Sequence, residues 1–246
     1  MSTRFHADLP FAPGLETALP EGATRHVQVL RLQPGEHVIL FDGRGQEWSA
    51  EILSMGRRDV QVRLLEARNN TADPIRPVTL AAVMPAGDRF DWLVEKATEL
   101  GVSTIQPLMS ERSVLRLSGD RAERKVQHWQ GVAIAAAEQC GRAHVPVIAP
   151  VQALRSWLQD TPATTDTFKW LLSLGESRPL SERLADLACA PPSTALCMLS
   201  GPEGGLTAAE EAAARSAEFL ATSLGSRVLR AETAPLAVLS NLLTLG

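Results

Sequence analysis

A short apolar run is followed by a glycine-rich turn at residues 199–207, whose sequence is LSGPEGGLT. The run at 194–199 has the length and composition of a strand that is buried on both faces. Thr207 and Glu210 have the spacing of a capping box, which predicts a helix over residues 208–219. Glycines let the backbone approach a ligand, and such turns lie where open α/β sheets bind ligands. The sequence therefore predicts a ligand loop here, although the glycines alone are equally compatible with a tight turn.

A second junction follows residues 224–229, where another short apolar piece breaks into a helix that Thr233 is predicted to cap. Arg230 and Glu232 stand two positions apart just before that cap. In an extended chain this spacing points both side chains to the same side, where they could act together. An ion pair that only holds the loop is the alternative for these two residues. A third candidate ligand edge is the end of a predicted strand, at residues 173–175.

Several reactive-site patterns are absent from the sequence. It has no phosphate loop of the G-x-x-x-x-G-K-S/T type and no G-x-S-x-G nucleophile turn. The three cysteines and five histidines show no metal-ligand spacing, so no metal site is predicted. Glycine edges without phosphate-binding lysines favour a neutral or zwitterionic ligand that is held by backbone groups, and they disfavour a phosphotransferase.

Composition indicates a cytoplasmic globular protein. The odd number of cysteines argues against a disulfide framework, and neither a secretory h-region nor a membrane-length apolar run is present. The formal charge of the 246 residues is -4, so any surface that binds nucleic acid must be locally basic. Arginine supplies all but three of the 24 basic residues, which suits bidentate contacts to phosphate.

Hydrophobic patterning divides the chain into two parts. Apolar and polar residues alternate over three segments joined by hairpin turns, which predicts an antiparallel sheet or barrel of strands 36–41, 46–53 and 59–65. A polar, proline-containing linker at 69–77 follows, and strands then alternate with helices, as in a parallel α/β sheet. The predicted domains are residues 1–72 and 73–246.

Four motifs in fixed order carry a family resemblance. They are LSGPEGGLT at 199–207, LGSRVLRAETA at 224–234, AAEQCGR at 136–142 and EKATELGV at 95–102. Together they resemble the RsmE family, bacterial 16S ribosomal RNA uridine-N3 methyltransferases of the SPOUT class. The resemblance covers nearly the whole chain and is weakest at 151–190.

The resemblance implies a PUA-like barrel at 1–72 that helps to hold RNA, and an α/β methyltransferase domain with a trefoil knot at 73–246. It also implies a homodimer and S-adenosylmethionine bound by three loops. Nothing in the spacing of residues indicates a knot, which pattern alone would disfavour. The cofactor-binding residues implied are Leu172, Leu174, Gly175, Leu199, Gly201, Pro202, Glu203, Gly204, Gly205, Leu224, Gly225, Val228 and Leu229.

The acceptor implied by the resemblance is N3 of a uridine near the decoding centre of the small ribosomal subunit. N3 must lose its proton, and negative charge then spreads onto O2 and O4, which an arginine could stabilise. Arg230, Glu232 and Arg112 are the candidate catalytic residues, and each could instead belong to a structural ion pair. The candidate phosphate contacts are Arg4, Arg25, Arg31, Arg44 and Arg142.

A non-catalytic RNA-binding or ribosome-assembly factor is the alternative function. Binding of S-adenosylmethionine would discriminate the enzyme from such a factor.

Overall fold

The computed structural model describes residues 3–74, 76–161 and 166–244, and the chain divides into two compact units. The first unit is Met1–Asp73 with Ile134–Val145, and the second is Pro74–Ala133 with Pro146–Gly246. Residues 134–145, which the sequence assigned to the second domain, thus belong to the first unit. The reason is apolar packing, since Phe41, Ala137 and Ala143 form one buried cluster with Val145 against it.

The first unit is built on a five-stranded sheet in the order β1-β3-β4-β5-β2. The strand β1 is parallel to β3, and the other pairings are antiparallel. The three predicted strands are confirmed, whereas β1 and β2 are too short to give a sequence pattern. The elements are β1 (Arg4–His6), β2 (Glu16–Ala18), α1 (Glu21–Val29), β3 (His37–Phe41), β4 (Glu47–Met55) and β5 (Val60–Arg68).

A buried carboxylate organises one end of this sheet. Glu47 is only 5% exposed, and its oxygens accept hydrogen bonds from Arg4 at 2.8 Å, Arg68 at 3.2 Å and Asn70 at 2.7 Å. Burial by itself would raise the pKa of Glu47, but the hydrogen bonds from Asn70 and Arg4 outweigh it, so the pKa lies below its ordinary value. The carboxylate is therefore held in its charged form.

The second unit contains an all-parallel sheet in the order β11-β13-β10-β12-β6-β7-β8, with β9 beside β7. The helix α3 begins in this unit, and its last turns belong to the first. The elements are β6 (Val78–Val83), α2 (Arg89–Glu99), β7 (Thr104–Met109), α3 (Gly119–Cys140), β8 (Val147–Ile148), β9 (Gln152–Ala153), α4 (Leu154–Asp160), β10 (Thr167–Leu172), β11 (Arg178–Pro179), α5 (Leu180–Ala188), β12 (Ala195–Ser200), α6 (Ala208–Ser216), β13 (Leu220–Ser223) and α7 (Thr233–Leu242). In the described residues, no helix is both long enough and apolar enough to span a membrane.

Two predictions about this unit need correction, and one strand was missed. The helix predicted to reach residue 219 ends at Ser216, because Glu218 takes a φ of 69° and the chain then enters β13. That four-residue strand was not predicted. Thr233 does not cap α7 but is its first residue, and the N-cap position is taken by Glu232.

The position of β13 determines where the three predicted ligand edges lie. This strand pairs in parallel with β10, which pairs on its other side with β12. Parallel strands end at the same edge of a sheet, so the segments that follow β10, β12 and β13 emerge side by side. These segments are residues 172–175, 199–205 and 224–229.

Replacing Glu47 with Gln should lower the free energy of unfolding by about 3 kcal/mol, because two guanidinium groups would lose a buried anion. A lowered pKa contributes stability above the unfolded-state value and loses it as the pH falls through the folded-state value. The parent should thus lose stability as the pH falls from about 4, and the variant should lose less. Urea denaturation at pH 7 and pH 3 measures both effects. Glu66→Gln, at an exposed position on β5, is the control.

Candidate active site

The three edges enclose a cavity with a volume of about 490 Å³, within the range of small-molecule sites. Ten of the thirteen predicted cofactor residues line it. The lining residues are Leu172, Ser173, Leu174, Gly175, Ser200, Gly201, Pro202, Glu203, Gly205, Leu206, Glu211, Thr222, Leu224, Arg227, Val228, Leu229, Arg230, Ala231 and Ala234. Three predicted residues, Leu199, Gly204 and Gly225, are not among them. Leu199 is fully buried in the core beneath the loop.

The glycines of the 201–205 loop have different structural roles. Gly205 has a φ of +68° with open space around a would-be Cβ, so a side chain there strains the turn. A Cβ on Gly201 would lie 3.2 Å from the Leu206 side chain. Gly204 lacks a positive φ, and its Cβ would lie 3.6 Å from Cδ of Arg112 rather than in the cavity. Strain from an added side chain is therefore expected at Gly205, and not at Gly204.

Two charged side chains hold this loop in place. Arg112 donates from Nη1 to the carbonyl oxygens of Gly204 at 2.7 Å and Leu206 at 3.4 Å. Glu203 Oε1 accepts from the backbone N–H of Ala86 at 3.0 Å and pairs with Arg89 at 2.9 Å. Arg112 does not line the cavity. Its contacts orient the glycine loop from outside.

The capping box predicted for α6 is confirmed and extends to a second loop. Thr207 Oγ1 accepts from the backbone N–H of Glu210, whose Oε2 accepts from the backbone N–H of Thr207. The other carboxylate oxygen, Oε1, accepts from the backbone N–H of Glu111 at 2.8 Å. Glu210 thereby connects the start of α6 to the segment that follows β7.

The edge after β10 is held by a serine that pattern reasoning did not identify. Ser173 Oγ donates to Glu211 Oε1 at 3.2 Å and accepts from the backbone N–H of Gly175 at 3.1 Å. Its own backbone N–H donates to the carbonyl of Thr222 in β13. The periodicity of α6 indicates which positions are polar, but not that Glu211 faces another loop.

Arg230 and Glu232 do not form the predicted pair on one side of an extended chain. Glu232 has helical torsions, with φ -75° and ψ -28°, and is 5% exposed. Its Oε2 is buried without a hydrogen-bond partner in the described part of the chain. Arg230 is exposed and lines the cavity, while its carbonyl accepts from the N–H groups of Thr233 and Ala234. Arg230 is thus exposed at the cavity, whereas Glu232 is buried and does not line it.

The charges around the cavity favour a ligand that carries both signs. Glu203 and Glu211 supply negative charge, and Arg227 and Arg230 supply positive charge. No lysine lines the cavity within the described residues. Leu174 and Val228 are 74% and 77% exposed on its walls, so apolar surface is available to a bound ligand. A zwitterionic molecule with an apolar portion fits this arrangement better than a polyphosphate does.

The predicted phosphate contacts divide by exposure, and two of them must be corrected. Arg142 is 3% exposed, with Nε 3.2 Å from an Asp73 oxygen, and Arg4 pairs with buried Glu47. Both side chains are therefore unavailable to RNA. Arg25, Arg31 and Arg44 are exposed, although Arg25 pairs with Glu21, and Arg44 pairs with Asp8 and Asp42.

Comparison with known proteins identifies the family. A family model described as an RNA methyltransferase domain matches residues 71–243, and one described as an RNA methyltransferase PUA domain matches residues 19–65. The ribosomal RNA small subunit methyltransferase E of Bacillus subtilis is 33% identical over 217 residues, which cover 87% of this chain and 84% of the relative. The chain belongs to the ribosomal RNA small subunit methyltransferase E family.

Solved structures agree with this assignment. A ribosomal RNA small subunit methyltransferase E from Neisseria gonorrhoeae, bound to S-adenosyl methionine, is 35% identical with a TM-score of 0.91 and covers 100% of this chain and 98% of its own. A putative methyltransferase from Legionella pneumophila, in complex with the same cofactor, is 29% identical with a TM-score of 0.90. The match covers 100% of this chain and 98% of the Legionella chain. The fold is thus the mixed α/β fold of the methyltransferase E family, with a PUA-like first domain.

Glu210→Ala should lower the free energy of unfolding by about 2 kcal/mol, because it leaves two backbone N–H groups in different loops without their charged acceptor. Thr207→Ala should cost about half as much, since it removes one capping bond and leaves the link to Glu111. Urea denaturation of both variants measures the difference. Equal decreases would contradict a bridging role for Glu210.

Proposed function

We propose that this chain transfers a methyl group from S-adenosylmethionine to N3 of a uridine in 16S ribosomal RNA, near the decoding centre of the small subunit. Methylation of ribosomal RNA with this cofactor is the activity of the methyltransferase E family. The observation that carries the proposal is the 490 Å³ cavity between three sheet-edge loops, in a chain that aligns over its whole length with a cofactor-bound relative. The reaction takes place in the cytoplasm, on the small subunit.

The cavity residues fit this cofactor. S-adenosylmethionine supplies an electrophilic methyl on a sulfonium, and it also carries an ammonium, a carboxylate and an apolar adenine face. Glu203 and Glu211 complement its positive groups, Arg227 complements its carboxylate, and the exposed Leu174 and Val228 are available to its base. Leu172, Gly175, Gly201, Pro202, Gly205, Leu224 and Leu229 complete the proposed binding surface.

The chemistry at N3 assigns different roles to the candidate residues. The N3–H proton leaves to a base while the N3–CH₃ bond forms and the S–CH₃ bond breaks, and negative charge collects on O2 and O4. Arg230 is exposed at the cavity and can stabilise that charge. Arg112 holds the glycine loop from outside the cavity and acts as a positioning residue. Glu232 does not line the cavity, so the candidate proton acceptors are water, a substrate phosphate and the lining carboxylates Glu203 and Glu211.

The strand order supports a trefoil knot of the SPOUT type in the second unit. The chain leaves β10 and reaches β11 across β13, which lies between them. The segment that leaves β13 must then travel to α7, which packs against α2 and β12 on the other side of β10. Residues 173–177 connect β10 to β11 and therefore cross over β13. A chain end that passes beneath this connection is threaded through a loop of the chain, which makes a knot. The bulges between β4 and β5 similarly support a first-unit sheet curved into a barrel.

A homodimer is the proposed assembly. Helix α7 is rich in apolar residues, and Leu243 just beyond it is 54% exposed. Trp92, on the neighbouring α2, is 45% exposed. A second copy of the chain would cover this apolar surface, and sedimentation of the purified protein measures the association.

Nucleoside mapping tests the proposed function directly. In small-subunit RNA from cells that lack this protein, the target uridine should be unmodified. The purified protein with S-adenosylmethionine should convert that uridine to N3-methyluridine. Mass spectrometry locates the modified nucleoside. A protein that neither binds the cofactor nor modifies the RNA would instead be the RNA-binding or assembly factor that the sequence left open.

Gly205→Val should weaken S-adenosylmethionine binding at least tenfold, because a β-branched residue resists the φ of +68° that the loop requires. Gly204→Ala is the matched control, since its Cβ makes ordinary contact with Arg112 outside the cavity. Titration calorimetry gives both dissociation constants. Equal affinities in the two variants would show that the conformation of Gly205 does not matter for binding.

Arg230→Ala should reduce the single-turnover methylation rate about a hundredfold at saturating cofactor and RNA. Its affinity for S-adenosylmethionine should change little, because the proposed target of the guanidinium is the uridine. Glu232→Gln should keep a near-parental rate, since this side chain lies outside the cavity. A slow Glu232→Gln variant with a parental melting temperature would restore Glu232 as a candidate proton acceptor.

A further inference from the structure

The first unit contains nine arginines, and their ion pairs divide them into two sets. Six have a carboxylate partner: Arg4, Arg25, Arg44, Arg63, Arg68 and Arg142. Within the described part of the chain, the side chains of Arg31, Arg57 and Arg58 have no ion pair or hydrogen bond, and all three residues are exposed. An exposed guanidinium without a partner keeps its full capacity for an external anion.

One residue in the last turn of α1, Gln28, is hydrogen-bonded to the segments that carry these arginines. Gln28 Nε2 donates to the backbone carbonyls of Gly56 at 3.1 Å and Arg57 at 3.2 Å. The backbone carbonyl of Gln28 accepts the N–H of Arg31, which has a φ of 56° just beyond the helix. Gln28 thus fixes the end of α1 against the turn between β4 and β5.

That turn presents its two arginines in a defined place. Met55 pairs with Val60, and the N–H of Gly56 donates to the carbonyl of Asp59 at 2.8 Å, so Arg57 and Arg58 form the tip of a tight hairpin. A Cβ at position 56 would overlap the Asp59 carboxylate, which would have to move. A fixed backbone reduces the conformational entropy that the arginines lose when they bind a ligand.

A groove of about 640 Å³ runs between the hairpin tip and α1, with Arg25, Arg57 and Arg58 along it. One carboxylate also lines it, that of Glu21, and it is already bonded to Arg25 at 2.8 Å. Val29 and Leu30, next to Arg31, are 71% and 46% exposed. The surface therefore combines uncompensated positive charge with accessible apolar area.

We propose that Arg31, Arg57 and Arg58, around Gln28, form the main phosphate-binding surface of the first unit for the ribosomal RNA substrate. We call it the Gln28 surface. The inference rests on the proposed function and names the part of the chain that holds the RNA backbone. It replaces Arg4 and Arg142 from the sequence-based set, and it adds two arginines that the set lacked. RNA is chosen over an acidic protein because it is the proposed substrate; a planar guanidinium can bind its phosphates bidentately, and the exposed aliphatic side chains can contact riboses or bases.

The test compares the triple variant Arg31→Ala, Arg57→Ala, Arg58→Ala with the parent. Binding to unmodified small subunits and to a protein-free 16S RNA transcript is measured over a range of KCl concentrations. The slope of log affinity against log salt should become shallower by about 0.7–0.9 for each phosphate that the variant no longer binds. S-adenosylmethionine affinity and melting temperature should stay at parental values, because the altered side chains have no partner in the described part of the folded chain.

Two controls make the result specific. Arg63→Ala removes an exposed positive charge from the same sheet, but this charge is already paired with Glu16 and Glu51, so the salt slope should barely change. The triple lysine variant keeps the charge and should retain most of the slope while its affinity falls modestly.

Parental affinity and slope in the triple alanine variant would overturn the proposal. So would weaker binding to subunits alone with unchanged binding to the RNA transcript, since the surface would then contact a ribosomal protein. Methyl transfer by the unaltered chain is measured on the same subunits. Its absence would contradict the proposed function, whereas the binding comparison would still decide whether the Gln28 surface holds RNA.

Discussion

The candidate active site depends on the parallel pairing of one strand with two neighbours. β10 pairs with β12 through Leu171 and Leu199, and with β13 through Leu172 and Thr222. The three strands therefore end at nearly the same level, and the loops that follow them surround one cavity. A one-residue change of register would turn every side chain of the shifted strand to the other face of the sheet. Correct pairing of a four-residue strand thus controls the geometry of the whole site.

Glycine loops at this edge need support because they have few side chains with which to pack. The structure supplies it through polar groups from other segments. Glu210 bonds the segment after β7, Glu203 bonds the start of α2, and Ser173 connects the loop after β10 to α6. Each contact joins residues far apart in sequence. A hydrogen bond that a backbone N–H donates to a charged acceptor is worth about 1.5–3 kcal/mol, enough to favour one loop conformation.

The same physical distinction separates structural from available arginines. Arg142 is buried and Arg4 is partly buried against carboxylates, where a broken pair would leave an uncompensated charge. Arg57 and Arg58 occupy a hairpin tip without such a partner among the described residues. Nothing in the local sequence distinguishes these two groups, since the partners of Arg4 and Arg142 lie 43 and 69 positions away. Choosing phosphate contacts by residue type alone therefore selected both arginines that are paired inside the fold and arginines that are exposed.

Sequence by itself determined the features that local interactions control. Alternation gave β3, β4 and β5, the capping box gave the start of α6, and buried apolar runs before glycines gave β10 and β12 with their ligand edges. These patterns act over a few residues, so they are visible without the fold. Tertiary structure alone decided the insertion of β13 beside β10, the packing of residues 134–145 with the first unit, and the burial of Glu232. Each of these depends on contacts between distant segments, whose free energy outweighs weak local preference.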